Sequence, residues 1–116
     1  MSGPKRVVVA GGDAHGLGDA LAAGDATVSR VDGVLTADRL AEAGVDDADV
    51  YVLTDLAEAT SIPVVAERNP DARIVVYGDD SLPEFVRGVA DLAVDPALVD
   101  ASVVAEELLH DGDDAT

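Results

Sequence analysis

Cysteine is absent from the chain, which excludes disulfides, thiolate nucleophiles and thiolate metal sites. Aromatic residues make up only 3%, so any core must be built mainly from Val, Ala and Leu. Lysine occurs once, at Lys5, and 7 basic residues stand against 24 acidic ones, 18 of them Asp. A formal charge of −17 repels nucleic acid and anionic lipid, so neither is an expected partner. No apolar run approaches the ~20 residues of a membrane span, so the chain is not expected to be membrane-embedded. Val7–Ala10 is too short for a secretory apolar region, and acids follow it closely, so a cytoplasmic protein is expected.

What is present suffices for one domain. The 116 residues are 48% apolar, enough for a single core. The acids are spread along the chain rather than gathered in one patch. That pattern suits screening by concentrated salt, since the Debye length is about 3 Å at molar ionic strength. The composition resembles that of salt-loving archaeal proteins.

The richest local signal is Lys5 to Leu21. An apolar run, Val7–Ala10, meets Gly11, Gly12, Gly16 and Gly18, and a helical pattern begins at Leu17, Ala20 and Leu21. Strand, glycine loop and helix start in this order mark a nucleotide-binding α/β unit. Asp13 lies inside that loop and repels a phosphate unless it is solvated or paired.

Apolar bursts alternate with helical patterns along the rest of the chain. Strands are predicted at Val7–Ala10, Thr27–Val31, Asp49–Thr54, Ile74–Tyr77 and Leu92–Val94, and helices at Gly16–Ala23 and Thr36–Ala43. A third helix follows with Thr60 as N-cap and Pro63 in its first turn, leaving Asp55–Ala59 as a loop. Ser81-Leu-Pro-Glu84 is a capping box. Asp95-Pro96 reads as the cap and first position of the last helix, with Leu98, Ala101, Ala105 and Leu108 on one stripe. Continuous apolar strands suit a parallel sheet covered on both faces. The expected fold is therefore a single Rossmann-like three-layer α/β domain with a five-stranded parallel sheet, order 2-1-3-4-5. Residues 1–4 form an arm, 5–109 the domain and 110–116 a disordered acidic tail.

The second half carries a family resemblance. Gly44-Val-Asp-Asp-Ala-Asp-Val-Tyr-Val-Leu-Thr-Asp55 resembles a segment of the TrkA N-terminal family, the nucleotide-binding (RCK) domains that regulate potassium conductance. Asn69-Pro-Asp-Ala72 with Ile74–Val76 resembles that family's helix end and next strand, and Gly88–Pro96 its late strand and last helix start. The resemblance spans residues 5–109. The family's glycine pattern falls on Gly11, position 13 and Gly16, and position 13 is Asp13. The segment between Val31 and Leu40 is too short for a helix plus a strand, so one βα unit is missing. No ligand-sensing subdomain or channel follows, so a stand-alone domain is expected.

The resemblance implies binding of NAD(H) or an adenine nucleotide by a non-catalytic regulatory domain. The backbone from Gly11 through Gly12, Asp13, His15 and Gly16 to Gly18 would hold phosphates. Asp32, 20 residues beyond Gly12, would hold a ribose hydroxyl. Thr54 and Asp55 would line the crevice wall. Arg30 either favours a phosphorylated ribose or pairs with a neighbouring acid.

Other readings share these residues. Gly12-x-x-x-Gly16-x-Gly18 has the spacing of short-chain dehydrogenases, but the Tyr-x-x-x-Lys pair is absent. Asp13-x-His15-x-x-Gly18 resembles the cobalt-ligating loop of cobalamin carriers. A receiver domain has this topology too, with Asp13, Asp55 and Asp79 after strands one, three and four. Val94-Asp95-Pro96, however, supplies no lysine after strand five. No Gly-x-Ser-x-Gly elbow exists for a serine triad. The competing class is an interaction module that kept the fold without its nucleotide, acting as a homodimer or on another protein.

Overall fold

The computed structural model describes residues 5–13, 15–24, 26–78, 84 and 88–110. Strands β1 (Arg6–Ala10), β2 (Thr27–Val31), β3 (Val50–Leu53), β4 (Arg73–Tyr77) and β5 (Leu92–Val94) form one sheet in the order β2-β1-β3-β4-β5. All four pairings are parallel. The expected architecture and strand order hold. The residues 1–4, 81–83 and 111–116, which carry the expected arm, most of the capping box and the tail, lie outside the described part.

The sheet's alternation builds two cores. Val8, Ala10, Tyr51, Leu53, Ile74 and Val76 face one side. They are covered by α2 (Ala37–Glu42) and α3 (Ser61–Arg68). Val7, Val9, Val50, Val52, Val75 and Tyr77 face the other. There α1 (Leu17–Ala23) and α4 (Ala101–His110) close over them. Period-two geometry sends neighbouring side chains to opposite faces, so strands apolar at every position are buried on both.

The buried polar groups of Tyr51, Ser61 and Asn69 are paired inside this frame. The Tyr51 hydroxyl lies 2.8 Å from Ser61 Oγ, joining β3 to α3. Burial pushes the Tyr51 hydroxyl up to about 12. The Asn69 amide donates to the carbonyls of Val45 and Ala48 at 2.9 and 3.0 Å, fixing the short 3₁₀ turn Val45–Asp47. Arg68 forks onto Asp46 across the same turn.

Several local expectations are corrected. Thr36 caps α2 through Arg39 N, but Thr60, at the N-cap of α3, makes no side-chain cap. The segment Asp55–Ala59 holds a 3₁₀ turn at Leu56–Glu58, begun by Asp55 Oδ1 accepting from Ala57 N at 3.0 Å. Asp95 does not start the last helix. Its carboxylate accepts from Ala97 N and its carbonyl from Leu98 and Val99, closing a separate turn. Asp100 caps α4 instead, taking the Ser102 hydroxyl at 2.7 Å, which holds its carboxyl below the ordinary range. Leu98 therefore leaves the predicted stripe and is 82% exposed, while Ala101, Val104, Ala105 and Leu108 are buried.

Candidate functional site

The carboxyl ends of β1 and β3 meet where the chain reverses direction across the sheet, the place where α/β folds put their sites. Thr54 bridges the two ends. Its hydroxyl donates to the Ala10 carbonyl at 2.8 Å and accepts from Asp13 N at 3.2 Å. Gly11 has φ +104°, and a side chain there would collide with Thr54 Oγ1. A glycine at this point lets the two strands' ends close on each other.

Asp13 is the centre of the loop. It adopts φ 55°, an uncommon left-handed conformation for a residue with a side chain. That conformation turns the carboxylate onto the start of α1. Oδ1 accepts from Leu17 N at 2.9 Å and Oδ2 from Gly18 N at 2.8 Å. The Arg30 guanidinium lies 3.2 Å from Oδ2 and 2.7 Å from Asp19 Oδ1. The Asp13 side chain is only 5% exposed. A Cβ on Gly18 would lie 2.7 Å from Arg30 Nη1. Gly18 therefore makes room for an arginine side chain, not for a ligand's backbone contact.

The glycine loop thus holds an internal anion. The amide donors that would meet a phosphate at the start of α1 are bonded to the Asp13 carboxylate. Gly12 is exposed with open space around it, and Gly16 closes a turn by donating to the Asp13 carbonyl at 3.0 Å. His15 stacks edge-on against Tyr77, with ring centroids 5.9 Å apart. Tyr77 in turn donates to the Val99 carbonyl at 2.8 Å. Asp32 is exposed and accepts from Gly33 N, its own neighbour. Asp55 is exposed at the end of β3. The structure therefore brings Gly11, Asp13, Gly18, Thr54 and Asp55 together and leaves Asp32 outside that network.

Arg30 is the residue whose importance sequence reasoning undervalued. Its partner was legible only as "a neighbouring acid", because the contact spans β2 and the first loop. Among the described residues, no group of three or more His, Asp or Glu side chains could hold a metal ion, and no helix is long and apolar enough to cross a membrane.

This fold is the one seen in receiver domains. A CheY-like response regulator receiver domain from Methanospirillum hungatei matches with TM-score 0.69 at 14% identity, over 96% of this chain and 95% of that one. An orphan response regulator of H. pylori matches with TM-score 0.69 at 11% identity, over 93% and 96%. A Burkholderia pseudomallei protein described as pilus assembly-related matches with TM-score 0.64 at 19% identity, over 93% and 89%. The family model that matches residues 7–108 is that of a family of unknown function, DUF7126, and the chain belongs to that family. No curated protein matches.

The expectation of a stand-alone nucleotide-binding regulatory domain is corrected by these findings. The solved structures of like fold include response regulators, and Asp13 occupies the position a phosphate would need. His15, on which the cobalamin reading rests, is exposed and set edge-on to Tyr77.

Proposed function

We propose that the chain is a receiver-type regulatory domain that signals by protein contact and carries out no phosphoryl transfer of its own. One observation carries this reading: the Asp13 carboxylate is bonded to Leu17 N, Gly18 N and Arg30. Phosphoryl transfer to an aspartate needs a divalent cation held by neighbouring acids and a cation to balance the new charge. Here the loop acid is occupied, and Asp95 follows β5 where a lysine would be wanted. Lys5 is at the opposite end of the sheet, donating to the Leu108 carbonyl at 2.8 Å. The likeness of Gly44–Pro96 to the TrkA N-terminal pattern is read as the shared signature of parallel strands and their turns.

A second reading is favoured by the exposure of Asp55 at the end of β3: phosphorylation of that residue itself. Incubation with acetyl phosphate and Mg²⁺ in molar KCl, followed by intact-mass spectrometry, separates the two. The protein-contact reading expects no added phosphoryl mass. A phosphoryl adduct lost in Asp55→Asn would overturn it in favour of the second.

A further inference from the structure

Among the described residues, the sheet has an open edge with an unusual chemistry. β2 is the outermost strand beside β1. Thr27 N donates to the Lys5 carbonyl and the Val31 carbonyl accepts from Gly11 N, so positions 27, 29 and 31 bond inward. Alternation turns the N–H and C=O groups of Val28 and Arg30 outward. Such edges are ordinarily guarded by proline, lysine, a bulge or an inward charge. β2 reads Thr-Val-Ser-Arg-Val and has none of these, apart from Arg30. The Arg30 guanidinium is drawn back over α1 by Asp13 and Asp19.

Charge selects what can approach this edge. Two molecules of charge −17 meet acid against acid over most of their surfaces, but β2 contains no acid. We propose that β2 is a self-association edge, where two copies pair their β2 strands antiparallel about a two-fold axis at Ser29. The two five-stranded sheets then join into one.

That register uses all five residues of the strand. Thr27 faces the second copy's Val31, and Val28 faces its Arg30. Each Val28–Arg30 pair exchanges two backbone bonds, about four bonds in all. Ser29 faces Ser29 as a closely spaced, non-bonded pair. Asp32 falls opposite Ala26, so no acid opposes an acid along the pairing.

A second feature meets the same operation. Because α2 has only six residues, a groove of about 290 Å³ stays open beside β2, lined by Arg6, Val8, Thr27, Ser29, Gly44 and Asp47. Val34, just beyond β2, is 66% exposed. Two-fold pairing of β2 sets the second copy beside this groove at the amino end of each strand.

The chain has no cysteine, which makes the test direct. Ser29→Cys brings two thiols together across a non-bonded antiparallel pair, at a separation that suits a disulfide. Ser102→Cys, on the exposed side of α4, is the control. In molar KCl we expect the parent to sediment as a dimer. Under mild oxidation Ser29→Cys should form a covalent dimer at least roughly tenfold faster than Ser102→Cys. Ser29→Asp, which sets two carboxylates side by side at the axis, should sediment as a monomer with an unchanged circular dichroism spectrum. A monomeric parent at high micromolar concentration overturns the proposal and leaves the edge to an extended segment of another protein. Equal oxidation rates for the two cysteine variants overturn it as well. If Ser29→Asp fails to fold, the parent's sedimentation and the cysteine pair still decide.

Discussion

Asp13 shows how one side chain redirects a motif. Glycines, a strand end and a helix start are the ingredients of an anion-binding loop, and the loop does bind an anion. That anion belongs to the protein. A left-handed aspartate costs on the order of 1 kcal/mol or more, and charge-assisted bonds to two amides and a guanidinium outweigh it. Asp13→Ala leaves Leu17 N, Gly18 N and Arg30 without this partner. We expect a loss of roughly 1–3 kcal/mol in stability, read by urea unfolding in molar KCl. A variant as stable as the parent would show that water replaces the carboxylate at no cost. Asp13→Gly relieves the backbone but removes the same bonds, so it too should destabilise.

At the scale of elements, the contact between β3 and α3 rests on Tyr51 and Ser61. The folded-state hydroxyl titrates at about 12 against an ordinary value of 10.0, because burial disfavours the tyrosinate. The folded state therefore holds this proton more tightly than the unfolded chain. The corresponding stability is fully present below pH 10 and is lost as pH rises from about 10 to about 12. Alkaline unfolding of the parent should coincide with ionisation of Tyr51 in the ultraviolet spectrum. Tyr51→Phe should lose about 1 kcal/mol at neutral pH and show a shallower decline across that window. Identical alkaline curves for the two proteins would assign the decline to other groups. The late turn carries the complementary lesson. Asp95-Pro96 has the letters of a helix start, yet Asp95 closes a turn and Asp100 begins α4. Either Asp fits a cap, and packing of Ala101, Val104, Ala105 and Leu108 on the sheet selects the second.

For the whole molecule, charge is the governing quantity. Twenty-four acids against seven basic residues repel one another in dilute buffer, where the Debye length is about 10 Å at 0.1 M and longer below that. Described ion pairs join Arg30 to Asp13 and Asp19, and Arg68 to Asp46. The melting temperature, followed by circular dichroism, should rise steadily from dilute buffer to molar KCl. A flat profile would show that this surface tolerates its charge without screening. The same screening favours the β2-paired dimer, so sedimentation should shift towards dimer over the same salt range.

The parallel order β2-β1-β3-β4-β5 was legible in the sequence because Val7–Ala10, Val50–Leu53 and Ile74–Tyr77 are apolar at every position. Only burial on both faces explains such runs, and right-handed crossovers leave few ways to connect them. The glycine loop was legible as a place where backbone and charge meet. What occupies it was decided by tertiary structure, because Arg30 reaches Asp13 from a different strand and Gly18 is small to admit that arm. The open edge of β2 was likewise invisible until the sheet was assembled. A strand's sequence records which faces are buried, whereas its position at an edge depends on what its neighbours leave unpaired.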